Sequence, residues 1–321
     1  MLFDQKSIST FLKNNLKYLD IGARGGLRPE WKSLESILDI HFVDVASDAT
    51  GDTVLIGKKT TDTVKFYHTN WPLSSGMMKT RKDFISRIVE PHQHNLKVVD
   101  TEMMESISLD NYLEQKSFPE INFLKIDTEG NEHHILEGAK VLLDTKSLLA
   151  IKSEVWLGPT KDASAFSRID TLLRSHHFHL FDFEFRRYTR NSLPAGAISE
   201  ENPYKCTSDR FGQFLTGDVI YIKDPICSFN ENLEVFEWND NNVIKLAVIY
   251  YIYNCPDCAL ELIIFYEDNF TSELDLNELK NIFTPLLPSG KKLTYNNYCK
   301  LSKQNGEDLN FFRKLWKVKN L

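Results

Sequence analysis

Three short segments carry residues whose types and spacing could do chemistry. The first, Asp20-Ile-Gly-Ala-Arg-Gly-Gly26, closes an apolar run with a glycine turn. Glycine suits a place where backbone must approach a ligand, because it lacks a Cβ and tolerates positive φ. The acid two residues before Gly22 would repel a phosphate, and it suits a ligand bearing an ammonium or sulfonium. The lysine and Ser/Thr of a phosphate-binding loop are missing, and so is the G-x-G-x-x-G spacing of a dinucleotide fold. On its residues alone the turn is equally a structural strand-to-helix connection. The second feature is Asp44, which ends the next apolar run about 20 residues on, the place where nucleotide-binding units put an acid against ribose hydroxyls.

The third segment, Leu124-Lys-Ile-Asp-Thr-Glu-Gly-Asn-Glu132, is the most informative. Lys125, Asp127 and Glu129 are charges in and just beyond an apolar strand, and burying them is costly unless they are paired or used. A cleft at the strand's end accommodates them. Gly130 then permits a turn into a helix, with Glu132 in its first turn where the dipole favours an acid. A helix cap with a salt-bridged lysine is the plainer alternative. Glu154 and Trp156 end a later strand on the same sheet edge and are candidate substrate contacts. His133 and His134 point some 100° apart on a helix, so at most one can face a cleft. The tract Arg186-Arg187-Tyr188 with Arg190 fits an anionic substrate or a solvated strand end.

These residues need an α/β frame. Lys17–Gly22 and Ile40–Val45 read as buried parallel strands, with helical periodicity from Glu30 to Asp39 between them. Strand character returns at Thr53–Gly57, Thr63–Thr69 and Leu96–Asp100, then at Ile121–Asp127, Leu148–Trp156, His179–Phe185 and Asp218–Lys223. Helices are expected at 1–16, Ser108–Gln115, Asn131 to about Leu143, and Phe166–Ser175. From Asp224 the composition turns helical, over Asn242–Tyr253, Ala259–Glu267, Leu274–Phe283 and Leu309–Val318. The expected organisation is a Rossmann-like domain over residues 1–223 and a small helical domain over 224–321.

Asp-Ile-Gly-Ala-Arg-Gly-Gly, followed much later by Leu-Lys-Ile-Asp-Thr-Glu-Gly-Asn-Glu-x-x-x-Leu-Glu-Gly-Ala, resembles the FkbM family of methyltransferases. Ser108-Leu-Asp110, Ser74-Ser75 and Gly217–Ile222 extend the likeness over roughly residues 17–223. Val45 departs from it, standing where the family usually has proline. The resemblance implies a seven-stranded class I methyltransferase sheet, here with a C-terminal helical extension. It also implies S-adenosylmethionine as cofactor and methyl transfer to a small-molecule hydroxyl, a saccharide or glycoconjugate being the family-level acceptor. Asp20, Gly22, Ala23, Arg24 and Gly26 would hold the amino-acid part of the cofactor, and Asp44 its ribose. Asp127 and Glu129 would line the transfer cleft, one of them as base or positioning group, with Lys125 orienting them.

Composition narrows the rest. The chain has 321 residues, 42% hydrophobic and 26% charged, which suits a packed globular protein of one or two domains. A net charge of −7 gives no electrostatic reason to expect nucleic acid. The most apolar stretch, Val243–Tyr266, is broken by Lys245 and Asn254-Cys-Pro-Asp-Cys258, so it reads as two buried helices around a proline turn, not a membrane span. The opening residues lack the apolar core of a secretory signal, and the five cysteines show no disulfide framework, so a cytoplasmic protein is expected. Cys255-Pro-Asp-Cys258 is half a zinc site, a redox pair or simple helix packing. No compact ligand cluster is visible, so no metal is assigned, and a homodimer is an available assembly. The competing reading from another class is a methyltransferase-like scaffold subunit without catalysis.

Overall fold

Short runs of apolar and β-branched residues, each ended by a glycine, an acid or a turn, build the sheet that dominates the protein. The computed structural model describes residues 8–46, 51–79, 85–118, 120–158, 165–193, 207–208, 212–271, 273–287 and 289–305. Residue contacts divide the chain into two units. One comprises Leu16–Arg28 and Asp39–Phe236, and the other Met1–Asn15, Pro29–Leu38 and Glu237–Leu321.

The strands are β1 (Leu16–Ile21), β2 (Leu38–Asp44), β3 (Asp52–Thr53), β4 (Leu55–Gly57), β5 (Asp62–Thr69), β6 (Val98–Ser108), β7 (Phe123–Ile126), β8 (Ala150–Trp156), β9 (Phe178–Tyr188), β10 (Thr207–Ser208) and β11 (Gln213–Lys223). The main sheet has the order β10-β9-β11-β8-β7-β1-β2-β3. β1 pairs in parallel with β7, and β7 with β8, while β11 runs antiparallel to both β8 and β9. Leaving out the two-residue β10, this is the expected seven-stranded Rossmann-like methyltransferase sheet with its antiparallel closing strand. β10 adds a short eighth strand at one edge. β4, β6 and β5 form a separate three-stranded sheet.

The strand order reverses at β1, whose chain neighbour β2 lies on one side and β7 on the other. Ligands of open α/β sheets bind at such a switch point, beyond the carboxyl ends of the strands. Asp20 of β1 lies in register with Lys125 of β7, side by side at this point. Leu19, Ile21, Leu124, Ile126, Ile151 and Val219 fill the core beneath.

In chain order the helices are α1 (Pro29–Lys32), α2 (Glu90–Asn95), α3 (Leu109–Gln115), α4 (Glu132–Glu137), α5 (Lys140–Asp144), α6 (Phe166–Ser175), α7 (Pro225–Asn230), α8 (Asp240–Ile252), α9 (Pro256–Tyr266), α10 (Leu276–Phe283) and α11 (Tyr295–Asn305). Side chains close several of their ends. The Asp110 carboxylate accepts from Val141 N at 2.9 Å and Leu142 N at 3.0 Å, starting α5. The buried Lys223 ammonium donates to the Leu143 and Thr145 carbonyls at 3.0 and 2.6 Å, satisfying its C-terminal end.

Several local expectations are corrected. The helix expected from Asn131 to Leu143 is two short ones, interrupted at Gly138. Glu30–Asp39 yields only the one-turn α1 and a tight turn at Glu35–Ile37 before β2 begins. The strand expected at Leu96–Asp100 runs on to Ser108, because it pairs along its length with β5. Of the helix expected over 1–16, residues 1–7 lie outside the described residues and only Ile8 and Ser9 are helical. Leu309–Val318 also lies outside them.

In the second unit, α8 is buried on every side, with Val243 through Ile249 almost wholly enclosed, as expected of a helix apolar all round. Asn239 and Asp275 cap α8 and α10 through their side chains. Trp31 Nε1 donates to Tyr253 Oη at 3.0 Å. No helix among the described residues is long and apolar enough to cross a membrane.

Candidate active site

The glycine turn is held by β-sheet geometry. Gly22 has φ +83°, and a Cβ there would lie 1.9 Å from the Asp127 carbonyl oxygen, so the approach of β1 to the end of β7 demands glycine. Gly22 N donates to Val43 O at 2.9 Å, tying the turn to β2. The Asp44 carboxylate accepts from Arg24 N at 3.0 Å and Ala46 N at 2.8 Å, and thereby holds the turn from the β2 side. Past the turn, a Cβ on Gly26 (φ +67°) would meet nothing within 4 Å, so the backbone there faces open space.

Beneath the turn, Asp20 is fully buried, with Lys125 Nζ 2.8 Å from its Oδ1. Its other oxygen, Oδ2, is buried without a hydrogen-bond partner. Lys125 also approaches Gly22 O at 3.4 Å and Asp127 Oδ2 at 3.7 Å. Burial alone would lower the Lys125 pKa. The charges of Asp127 and Asp20 more than reverse that, so the side chain is held as ammonium. Burial pushes Asp20 upward, and Lys125 opposes it without cancelling the rise.

After β7 the chain makes a constrained turn. Glu132 Oε1 accepts three hydrogen bonds, from Thr128 N at 2.8 Å, Thr128 Oγ1 at 3.0 Å and Gly130 N at 3.1 Å. Within this loop Glu129 takes φ +57°, an uncommon conformation for a residue with a Cβ. The result brings together carboxylate oxygens of Asp127, Glu129 and Glu154, all within 4.8 Å of one another. Burial and the charges of Asp127 and Glu132 push Glu129 up to about 8. Burial, Glu129 and Asp127 raise Glu154 well above the usual carboxylate range. Carboxylates this close share protons or neutralise a cation, and their spacing suits a hard divalent ion as well as an organic one.

Arg186 of β9 closes the other side. It donates to Glu154 Oε1 at 2.9 Å and, through its second amino group, to both oxygens of Asp218 at 2.9 Å. Asp218 also takes Arg28 at 2.9 Å and lies 3.7 Å from Lys152. The guanidinium of Arg186 is therefore committed to carboxylates, and Arg187 lies 3.6 Å over the Phe214 ring. Neither matches the anion-binding role read from the arginine tract. A cavity of about 120 Å³ opens here, walled by Glu129, Glu154, Trp156, Arg186, Tyr188 and Met78. A larger cleft of about 400 Å³, lined by Glu120, Ile121 and Ser147, lies where β7 and β8 begin, at the opposite edge from the glycine turn.

The structure thus brings Lys125, Asp127, Glu129, Glu154 and Trp156 together beside Asp20 and the Gly22–Gly26 turn. It does not bring in His133 or His134. His133 is buried, 3.5 Å from Arg168, and pushed down to about 4 chiefly by burial, so it stays neutral. His134 meets Glu137 at 3.1 Å, and Lys58 meets the same carboxylate at 3.1 Å. Sequence reasoning missed the structural part of Glu132, together with Asp218, Arg28 and the pairing of Arg186. The Glu132 position two residues after the loop glycine Gly130, at the start of a helix, was a readable signal; the others had none.

Comparison with known proteins bears on the family. Residues 33–180 match the family model described as the methyltransferase FkbM domain. No curated protein sequence matches the chain. Solved structures similar to it include a precorrin-6y C5,15-methyltransferase from Geobacter metallireducens (12% identity, 68% of this chain and 86% of that one, TM-score 0.32). A putative tRNA (m1A22) methyltransferase from Streptococcus pneumoniae is 9% identical over 87% of this chain and 97% of that one, with TM-score 0.30. A SAM-dependent methyltransferase from Methanosarcina mazei is 12% identical over 67% and 96%, with TM-score 0.26. Scores at this level leave the fold to be read from the strand order.

Proposed function

We propose that this chain, whose residues 33–180 match the methyltransferase FkbM domain, moves a methyl group from S-adenosylmethionine to a hydroxyl of a small molecule, with a saccharide or glycoconjugate as the acceptor class. The observation that carries the proposal is the Asp127–Glu129–Glu154 carboxylate cluster at the sheet's carboxyl edge, opening into a cavity walled by Trp156.

The chain's residues fit the cofactor. A buried carboxylate oxygen without a donor costs roughly 1–3 kcal/mol, and Asp20 Oδ2 is one, so a ligand ammonium is its natural complement. Open space above Gly26 leaves room for the ligand's approach. The Asp44 carboxylate keeps lone pairs beyond the two it gives to the turn, enough to accept from ribose hydroxyls. The bound cofactor supplies an electrophilic methyl group on a sulfonium.

The protein's share is alignment and proton handling. Alignment of oxygen, carbon and sulfur is the larger part of an in-line displacement. Glu132 fixes the loop that carries Glu129, and Lys125 holds Asp127 against Asp20. Glu129, ionised only toward pH 8, is the group to take the acceptor's proton, a contribution of about 10²–10⁴-fold. Arg186 holds Glu154 in place, and Trp156 offers a flat apolar face for a sugar ring.

Calorimetric titration with S-adenosylmethionine, S-adenosylhomocysteine and NAD tests the cofactor site. Micromolar binding of the two sulfur ligands, none of NAD, and loss in Asp20→Asn are expected, followed by turnover in a screen of sugar acceptors. Failure of a folded protein to bind either sulfur ligand would refute the proposal in favour of a non-catalytic scaffold.

A further inference from the structure

The Cys255-Pro-Asp-Cys258 motif has no part in the methyl-transfer site, yet the fold gives it a specific arrangement. The exposed Asn254, at φ +59°, turns the chain out of α8. Cys255 follows as the N-cap of α9, with Pro256 in the first turn and Cys258 as the helix's third residue. Side chains at the N-cap and third positions face each other across the first turn. The Cys255 thiol donates to the Tyr253 carbonyl at 3.4 Å. Cys258 stands three residues on across the first turn of α9, and its proximity to Cys255 raises its pKa. Neither cysteine is in a disulfide and both keep partial exposure, whereas Ala259 and Leu262 on the same helix are wholly buried. Cysteines serving only to pack a helix have no reason to meet at its mouth.

We propose that Cys255 and Cys258 form a redox-active dithiol that exchanges with low-molecular-weight disulfides of the glutathione type. Cys255, at the positive end of α9, is the attacking sulfur. Cys258 lies one turn further into the helix, and its neighbour Cys255, burial and the charge of Asp257 all keep its proton on, so Cys258 is the resolving thiol. In the first step the Cys255 thiolate attacks one sulfur of the small disulfide. That S–S bond breaks, one small thiol leaves and takes a proton, and a mixed disulfide remains on Cys255. In the second step Cys258 loses its proton and attacks the Cys255 sulfur, expelling the second small thiol. The protein dithiol has lost two electrons, and the small disulfide has become two thiols.

The full-length protein is equilibrated in mixtures of reduced and oxidised glutathione, acid-quenched and alkylated, and the peptide bearing the motif is weighed. Expected is a single two-electron transition from a doubly alkylated peptide to an internal disulfide, at least tenfold faster than glutathione addition to Cys227 or Cys299. In Cys258→Ser, a persistent glutathione adduct on Cys255 is expected. Two results would overturn the proposal. One is a wild-type pair that remains doubly alkylated in fully oxidised glutathione. The other is a pair that gains adducts no faster than Cys227 and Cys299 and never closes. Neither requires a substituted protein to fold.

Discussion

Two clusters in the sheet-bearing unit have the same ligand-like spacing and opposite electrostatics. Around His133, His134 and Glu137 every charge meets its opposite, since Lys58 and His134 both reach Glu137, and His133 stays neutral. Around Asp127, Glu129 and Glu154, carboxylates meet carboxylates, and burial with mutual repulsion drives Glu129 and Glu154 upward. Spacing alone does not separate a surface network from a working site. Like charges crowded at a half-enclosed edge, only partly offset by Arg186 and Lys125, mark the acidic cluster as the candidate for function.

The comparison breaks most sharply at Glu129. Glu129→Gln is expected to lower kcat by about 10²–10⁴-fold in a methyl-transfer assay while leaving the fold intact. Its counterpart, Glu137→Gln, is expected to leave kcat within a factor of two. Equal effects on both would remove the distinction.

Next in size is the buried pair between them in character. Lys125→Met strands Asp20 without its cation, and a loss of about 3–5 kcal/mol in denaturant unfolding is expected. The loss is to be regained partly at low pH, where Asp20 can protonate.

Glu132→Ala removes the common acceptor of three donors and is expected to cost about 1–3 kcal/mol. Glu132→Gln, which keeps an accepting oxygen, should recover most of this, and should shift the acid limb of the kcat pH profile to lower pH, because one of the charges raising Glu129 is gone. On the surface network, Lys58→Ala should cost no more than about 1 kcal/mol, measured the same way.

The two clusters should also differ in pH dependence, with opposite signs. Glu129 titrates near 8 in the folded protein, above the 4.5 of an unperturbed side chain. The folded state therefore binds more protons in that window, and the Glu129 contribution to stability falls as pH rises from 4.5 to 8. His133 titrates near 4 when folded against 6.5 unperturbed, so its contribution falls as pH drops from 6.5 to 4. Unfolding curves of Glu129→Gln and His133→Gln against the parent should differ in slope in those separate windows. Identical slopes would place neither group in its assigned environment.

Much of the frame was legible from local signals. The apolar runs ending at Ile21, Asp44, Ile126 and Trp156 are strands, because each is short and rich in apolar residues, and all but the half-buried β2 are buried along almost their whole length. The glycine turn and the Lys125–Glu129 charges were legible for a related reason: such residues are out of place in a strand unless the fold employs them. Helix lengths were less so. Gly138 divides one expected helix, and Glu30–Asp39 carries a periodicity that yields only single turns. Periodicity states which face is apolar, not whether enough packing exists to propagate a helix.

By itself, the sequence determined the strand and turn order, a glycine turn after the first strand, and the presence of charges at the end of β7; that position 22 must be glycine follows from the approach of the Asp127 carbonyl. It also determined the Cys-x-x-Cys spacing, because that separation lies within one helical turn. Only the tertiary structure decided which charges meet. Arg28, Glu154, Arg186 and Asp218 belong to distant parts of the chain; the antiparallel pairing of β11 with β8 and β9 brings Asp218 to Glu154 and Arg186, and Arg28 joins it from the segment after the glycine turn. The separation of the acidic cluster from the histidine cluster was likewise a tertiary decision. A residue's ionisation depends on its burial and its neighbours in space, and neither is written in the spacing of one segment.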